Sequence, residues 1–535
     1  MQRIIRRLHD RTIFVVVGFL VPLVIVLPLL RIGLNALEPR SLYYQTLLQN
    51  NILVTSVVAT IELIIKVGLL SAFVGFIAAY FLTFYEIKFR KVINVLLVLP
   101  LGIPVYVAAY TYTNIFHYIP FLEAILRADF MMNGAVFIYS FFLYPYVYLA
   151  SKSYLSKHIT DYIEASETLG GQHLKLFIKI ILPLSRPVII GSVLFAIFET
   201  LSDFAVVEYY GVLTLSRYIN LAWFSNGDFI SASKLSVYIL MIMFVLIFIE
   251  RVSRRQKRYS SADVIHRPIR RYNPSKSMMY IIYVFIGTII VLATILPITQ
   301  MLVSVIMNTA YIERLDIIEI TFNTLLITVV STIIIIIVAL LLATITIYIK
   351  GAKKHLLSSV STIGYMVPSM VLALGIYILL IRVDQWLYHM FQGVGLNRML
   401  FTSTIAIILF GFFVKFFSVA YTNLLSAYSK MNHHLLEASE TLGESKLSTM
   451  VRVTIPMLSK SIIAVAIILF IDMAKELTIV YSLRPFNFKT LSTEVYRYAG
   501  NEMINIAAFP SLVIIAMCTL LILYLEGGSK RVKTP

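Results

Sequence analysis

The chain has 535 residues, 59% of them hydrophobic and only 13% charged, with a mean hydropathy of +0.87. Soluble globular domains carry roughly a quarter charged residues, so this composition excludes a soluble enzyme and implies a polytopic membrane protein. The net charge of +18 comes with no basic, aromatic-interleaved reading surface, so it reads as membrane topology and anionic-lipid contact, not nucleic-acid binding.

A helix needs about 20 apolar residues to cross the hydrocarbon core. The first predicted span, 13–30, follows Arg3, Arg6, Arg7 and Arg11 like the apolar stretch of a signal peptide. No small-x-small cleavage site comes after it, so it is expected to be retained. Spans at 52–82, 92–113 and 133–150 follow, the second of these carrying Pro100 and Pro104, where a helix break is expected. Next comes a polar cassette, Glu164-Ala165-Ser166-Glu167-Thr168-Leu169-Gly170, with Pro183 thirteen residues beyond its glycine. Spans at 187–212 and 235–250 complete a first set of six.

The segment 251–277 mixes nine Lys and Arg with polar residues and prolines, and reads as a basic cytoplasmic linker between halves at 1–250 and 278–535. Six more spans are predicted at 279–302, 321–348, 358–381, 402–424, 461–483 and 510–525. The cassette returns unchanged among them, as Glu437-Ala438-Ser439-Glu440-Thr441-Leu442-Gly443 with Pro456 thirteen residues on. Other pairs extend the repeat: Asn51 with Asn323, Glu199 and Asp203 with Asp472 and Glu476, and Thr214-Leu215-Ser216 with Thr490-Leu491-Ser492. Six spans on each side of the linker make the repeats parallel. Short loops rich in Lys and Arg stay cytoplasmic, and that rule places both termini inside with most of the 45 Lys and Arg.

Each cassette reads as a helix with small residues on one face, a glycine that permits a left-handed turn, and a second helix ended by proline. By itself this could be an amphipathic interfacial helix with no partner. The pattern resembles the EAA loop of binding-protein-dependent ABC importer permeases, with Ser166 and Ser439 departing from the usual third residue. The resemblance carries over to Glu164, Ala165, Gly170 and Pro183, near 155–185, and to Glu437, Ala438, Gly443 and Pro456, near 428–458. It implies coupling helices that dock on two copies of an ABC ATPase, and an all-α fold of about 12 transmembrane helices in two parallel six-helix repeats, the type I importer permease fold. Leu169-Gly170-Gly171-Gln172 is similar to part of the ABC ATPase signature, but the chain has no G-x-x-x-x-G-K-[ST] phosphate loop. ATP and Mg belong on a partner ATPase, and no cofactor is expected in this chain.

Further residues resemble the fused, two-half ferric-iron permeases over most of both halves: Glu199-Thr200-Leu201-Ser202-Asp203-Phe204 and Glu208-Tyr209-Tyr210-Gly211, Trp223 with Gly227-Asp228, Lys475-Glu476-Leu477, and Leu483 to Phe488. The resemblance implies import of ferric iron delivered by an extracytoplasmic binding protein, across a bacterial inner membrane. Permeases for thiamine, polyamines and phosphonates share the superfamily and remain alternatives. An ion-coupled secondary transporter is a remoter one that leaves the duplicated cassettes unexplained.

Charges inside spans are costly and normally face a bundle interior or a wet cavity. Ferric iron is a hard ion that prefers oxygen donors, so Glu199, Asp203, Glu208, Tyr209, Asp472 and Glu476 are candidates for the translocation pathway, with Tyr106, Tyr110 and Tyr112 weaker ones. The alternative is that these acids pair with Lys475, Arg484 or backbone groups and hold the halves together. Glu62 and Lys66, four residues apart, read as a structural pair. No Ser-His-Asp set, H-E-x-x-H motif or Cys/His cluster is present and the only cysteine is Cys518, so neither catalysis nor a tightly bound metal is expected.

Overall fold

The computed structural model describes residues 2–39, 41–118, 130–159, 176–255, 271–309, 316–391 and 399–528. The described elements are helices, apart from one isolated bridge between Tyr85 and Tyr272. Eleven of the described helices are long and apolar enough to cross a membrane, and a bent pair, counted as one span, makes twelve. In order, the crossings are span 1, Gln2–Ala36; span 2, Ile52–Phe84; span 3, Arg90–Gly102 with Val105–Phe116; span 4, Phe130–His158; span 5, Phe177–Ser202; and span 6, Phe229–Arg255. Span 7 is Lys276–Met307, span 8 Ile317–Tyr348, span 9 Ser369–Phe391, span 10 Ala406–Ser429, span 11 Lys446–Ala474 and span 12 Ile504–Gly528. In lipid no water satisfies the backbone, so helices are the form that these apolar segments must take.

Four predicted spans change shape, for two physical reasons. Pro104 and Pro368 force the residue before each into extended backbone, Ile103 at ψ 115° and Val367 at ψ 131°. Span 3 therefore bends by 100°. The segment predicted as 358–381 is likewise split, into short helices Ala352–Ser361 and Ile363–Met366 ahead of span 9. Spans 5 and 11 end at Ser202 and Ala474, well short of the predicted 212 and 483. There Asp203 and Glu476 each accept a hydrogen bond from the backbone three residues on, Val206 N at 2.9 Å and Ile479 N at 3.3 Å, which turns the chain out of the helix. The apolar residues beyond form the short helices Ala205–Tyr209 and Thr478–Leu483, and the more polar Leu215–Asn220 and Leu491–Gly500 follow them; all four pack against other helices. Composition does not distinguish burial in protein from burial in lipid, so hydropathy assigned Ala205–Tyr209 and Thr478–Leu483 to the spans.

The repeat is written into the hydrogen bonds. Leu215 N donates to Thr60 Oγ1 at 3.0 Å, and Leu491 N donates to Thr324 Oγ1 at 2.9 Å. Ser216 and Ser492 donate to Leu201 O and Glu476 O at 3.2 and 3.3 Å. These bonds correct the pairing of Asn51 with Asn323. Thr60 matches Thr324, so spans 2 and 8 are offset by 264 residues; Asn51 precedes span 2, whereas Asn323 is inside span 8 and donates to Lys489 O.

The two sets of six are interlocked. Span 1 packs on span 9, where a β-carbon on Gly375 would come within 2.6 Å of Pro28 O. Span 7 packs against spans 2 and 3 of the other set, where Tyr112 donates to Leu292 O and Thr294 donates to Leu96 O. Each of two hydrophobic cores therefore mixes residues from both ends of the chain. Close approach of this kind supplies the van der Waals contact that holds helices together in lipid, where the hydrophobic effect gives little between them. Glu62 and Lys66 do form an ion pair on span 2.

Candidate functional site: a central cavity and a terminal turn

The breaks in spans 3, 5 and 11 and the start of span 9 meet around a cavity of about 60 Å³. Its wall includes Pro100 to Pro104 apart from Gly102, Tyr106, Tyr146, Glu199, Ser202, Asp203, Ser369, Lys475, Glu476 and Thr478. Three of the six candidate pathway residues, Glu199, Asp203 and Glu476, are thus brought to one place. Asp472 stands one turn back, paired with Lys475 at 3.1 Å.

Every acid here has a partner. Asp203 accepts from Tyr139 Oη at 2.7 Å, and Glu199 accepts from Tyr365 Oη at 3.0 Å. Lys415 is 3.3 Å from Glu476, with the two side chains only 2% and 12% exposed, and it also donates to Ser369. Several contacts join the two halves: Tyr365 to Glu199, Lys475 Nζ to Leu101 O at 3.4 Å, and Thr478 Oγ1 to Ser202 O at 3.2 Å. The wall carries three carboxylates, Glu199, Asp203 and Glu476, and one ammonium, Lys475, with Lys415 and Asp472 paired behind it, so its formal charge is negative and it is rich in oxygen.

Glu208 and Tyr209 do not line this cavity. Glu208 accepts from Asn220 and from Tyr496 of the other half, each at 3.0 Å. Tyr209 packs edge-on against Tyr110 with ring centroids 4.6 Å apart. Phe204, Tyr481 and Tyr496 form a ring cluster with centroids 4.9 to 5.6 Å apart, joining the turn after Asp203 to the bond at Glu208. Of the weaker candidates only Tyr106 reaches the cavity. Arg484, offered as a partner for the acids, instead reaches Phe488 O at 3.5 Å. Sequence reasoning missed Tyr139, Tyr365, Ser369 and Thr478, neutral residues with no charge to mark them, and gave no role to Lys415, whose partner Glu476 is 61 residues away. Among the described residues no group of three or more His, Cys, Asp and Glu could hold a metal ion.

The second cassette lies at the start of span 11. Asn432 caps the helix His433–Thr441 by accepting from His434 N at 3.0 Å. Gly443 then turns at φ +90°, a left-handed value that suits glycine. Ser439 is buried beneath this turn and shares a hydrogen bond with Thr449 at 2.9 Å, tying the cassette to span 11. Glu437 and Ala438 face outward with His434 and Thr441, and Leu442 is 82% exposed. Pro456 follows a π turn at Met450–Thr454. Pro183 follows the same turn at Phe177–Ile181, at the 273-residue offset of the cassettes. A proline has no N–H to donate and its ring crowds the previous turn, which opens to the wider i to i+5 pattern. Glu164, Ala165 and Gly170 of the first cassette lie outside the described residues.

Residues 71–258 and again 335–533 match the family described as the binding-protein-dependent transport system inner membrane component. The chain is 21% identical over 455 residues to an Fe(3+)-transport system permease protein of Haemophilus influenzae, covering 84% of this chain and 85% of that protein. It is 28% identical over 222 residues to a sulfate transport system permease protein of Salmonella typhimurium, covering 38% of this chain and 78% of that one. A spermidine/putrescine transport system permease protein of Escherichia coli is 23% identical over 222 residues, covering 39% of this chain and 77% of that one.

Proposed function

The chain belongs to the binding-protein-dependent transport system inner membrane components, and from that premise we propose that it is a ferric-iron permease with both halves fused in one chain. It is a multi-pass inner-membrane subunit of an ABC importer and is not itself catalytic; ATP is used on a partner ATPase. The observation that carries iron is extent. The match to the Fe(3+) permease runs through 84% of the chain, whereas the sulfate and polyamine matches each cover less than half. The central cavity agrees with a hard cation and argues against sulfate, because a net negative chamber repels an anion.

In this reading residues 1–250 and 278–535 are the two permease halves, 251–277 is the linker, and both termini are cytoplasmic. An ATPase subunit docks on each cassette, through Glu164, Ala165 and Gly170 in one half and Glu437, Ala438 and Gly443 in the other. An exposed face around Leu442 suits such a partner. Pro183 and Pro456 set the geometry of the helices that follow. A loaded binding protein presents iron on the opposite side, and Glu199, Asp203, Asp472 and Glu476 offer oxygens to a partly dehydrated ion as the cavity opens to one side and then the other. Glu208 with Tyr496 lies farther along the same route, with Tyr209 at its edge.

The test is uptake in vesicles holding the permease, its ATPase and its binding protein. ATP-dependent entry of radiolabelled iron, unaffected by excess sulfate or spermidine, is expected. Uptake of either competitor in place of iron would overturn the substrate and leave the permease assignment standing.

A further inference from the structure

A cleft of about 1310 Å³ opens between the first part of span 1, the end of span 8, the short helix Ala352–Ser361 and the turn after the second cassette. Its wall is mostly apolar and faces outward, with Phe19 and Leu356 each 67% exposed. Two ammoniums sit on it. Lys446, the first residue of span 11, holds its Nζ 4.0 Å from the Tyr348 ring centroid, and Lys353 comes from the short helix. Neither lysine has a carboxylate partner among the described residues. Of the two acids on the wall, Glu444 is paired with Arg452 at 2.7 Å and Glu440 lies beside the Tyr348 hydroxyl, which sets one further carboxylate against two lysines.

The repeat shows what such a place requires. At the 264-residue offset, Tyr348 and Ile349 correspond to Phe84 and Tyr85 at the end of span 2. There the chain fills the position itself: Tyr272 N donates to Phe84 O at 2.8 Å, Glu86 N donates to Tyr272 O at 3.0 Å, and the Tyr85 and Tyr272 rings lie 6.1 Å apart. The segment leading into span 7 is extended here and closes over the helix end. The segment leading into span 1 is helical from Gln2, so the extended backbone pairing is not repeated; Phe14 of span 1 sets its ring 6.4 Å from that of Tyr348, and the cleft lies alongside this contact.

We propose that this cleft is a site for an anionic glycerophospholipid of the leaflet on the cassette side, with its acyl chains against spans 1 and 8 and its phosphate between Lys353 and Lys446. An apolar trough that ends in two unpaired ammoniums matches that amphiphile. A zwitterionic lipid brings its own cation to the same place and loses the advantage. Because Lys446 begins the helix that the cassette turn feeds, the bound lipid props the turn from its membrane side. That consequence rests on the proposed docking of the ATPase; the lipid site does not.

The experiment uses the purified permease–ATPase complex, delipidated and then titrated with phosphatidylglycerol or phosphatidylcholine, with bound lipid counted by native mass spectrometry. Phosphatidylglycerol is expected to be retained in preference. Each lysine near the surface contributes about fivefold, so Lys353→Gln with Lys446→Gln weakens retention by about twenty-five-fold, while Lys430→Gln, off the cleft, leaves it unchanged. Glycerol 3-phosphate is expected not to compete. Equal retention of the two lipids, unchanged retention in the double variant at unchanged thermal stability, or displacement by glycerol 3-phosphate would each overturn the site. Iron uptake, measured separately, reports on the permease reading.

Discussion

Removing Lys415 separates the two roles open to the central acids. Its ammonium is almost fully buried and lies 3.3 Å from Glu476, so Lys415→Met leaves a carboxylate with one backbone N–H and no counter-charge. Breaking a buried pair by deleting one partner typically destabilises by about 3 to 5 kcal/mol, a factor of roughly 200 to several thousand in the folded-to-unfolded ratio. Replacing both partners is often close to neutral, so Lys415→Met with Glu476→Gln is expected to recover most of the loss. The stability arm is thermal unfolding of the permease–ATPase complex, and the activity arm is iron uptake per unit of folded permease. If Glu476 is a pathway oxygen, the double variant folds but transports poorly. If it belongs to a structural seam, stability and transport return together. A single variant as stable as the parent would refute the argument at its base, since the pair could not then be a buried, mutually dependent one.

Gly443→Pro puts a ring fixed near φ −65° where the backbone sits at +90°, so the protein is expected to insert normally but to lose ATPase co-purification and uptake; normal levels of both would remove the turn from coupling. Thr324→Val strips the acceptor from Leu491 N and Thr60→Val does the same at Leu215 N, and each is expected to lower stability by about 1 to 3 kcal/mol in thermal melts. A loss at one site and not the other would break the equivalence of the halves. For topology, single cysteines at the exposed residues Gln49 and Ser429, on a background where the sole cysteine, Cys518, is buried, are expected to label from opposite sides of sealed vesicles. Labelling from one side would overturn the placement of both termini in the cytoplasm.

The parts of this protein that lipid dictates were legible in its sequence. Long apolar runs must become helices when no water can satisfy their backbone, and every predicted span has its counterpart in the structure. The turn of the second cassette was legible because glycine permits a left-handed backbone, as Gly443 shows, but the expectation that proline ends the second helix is corrected: Pro183 and Pro456 follow π turns inside spans 5 and 11, which run on to Ser202 and Ala474. The helix ends were not legible. Leu201 to Val212 is mostly apolar around Asp203 and Glu208, a pattern that suits lipid or neighbouring helices alike, and the bond from Val206 N to Asp203 marks where the chain turns. Pairing Asn51 with Asn323 failed because a shared residue type carries no register, whereas the Thr60 and Thr324 bonds are set by the backbones they meet. Glu199 could not announce Tyr365, 166 residues away and in the other half. The interlock that brings such residues together is a property of the whole bundle.

That interlock bears on how the two ends of the site communicate. Lys446 to Ala474 runs as one helical span of 29 residues, about 43 Å at 1.5 Å per residue, with the cassette turn before its first residue and Glu476 just past its last. Span 5 has the same plan: its π turn, Pro183 and an ending at Asp203 all lie at the 273-residue offset. Under the proposed docking, an ATPase pressing on a cassette acts on a rod whose far end carries a wall of the cavity. The rod is softened near its driven end, where the π turn at Met450–Thr454 leaves the regular i to i+4 ladder. The cavity wall also holds Leu101 and Ser369, from spans 3 and 9, and Lys415 of span 10 grips Ser369 and Glu476 alike. On that reading, tilting span 11 strains the Lys415 contacts and the Lys475 bond to Leu101. In the proposed cycle these bonds act as the latch that keeps the pathway shut until both cassettes are driven together.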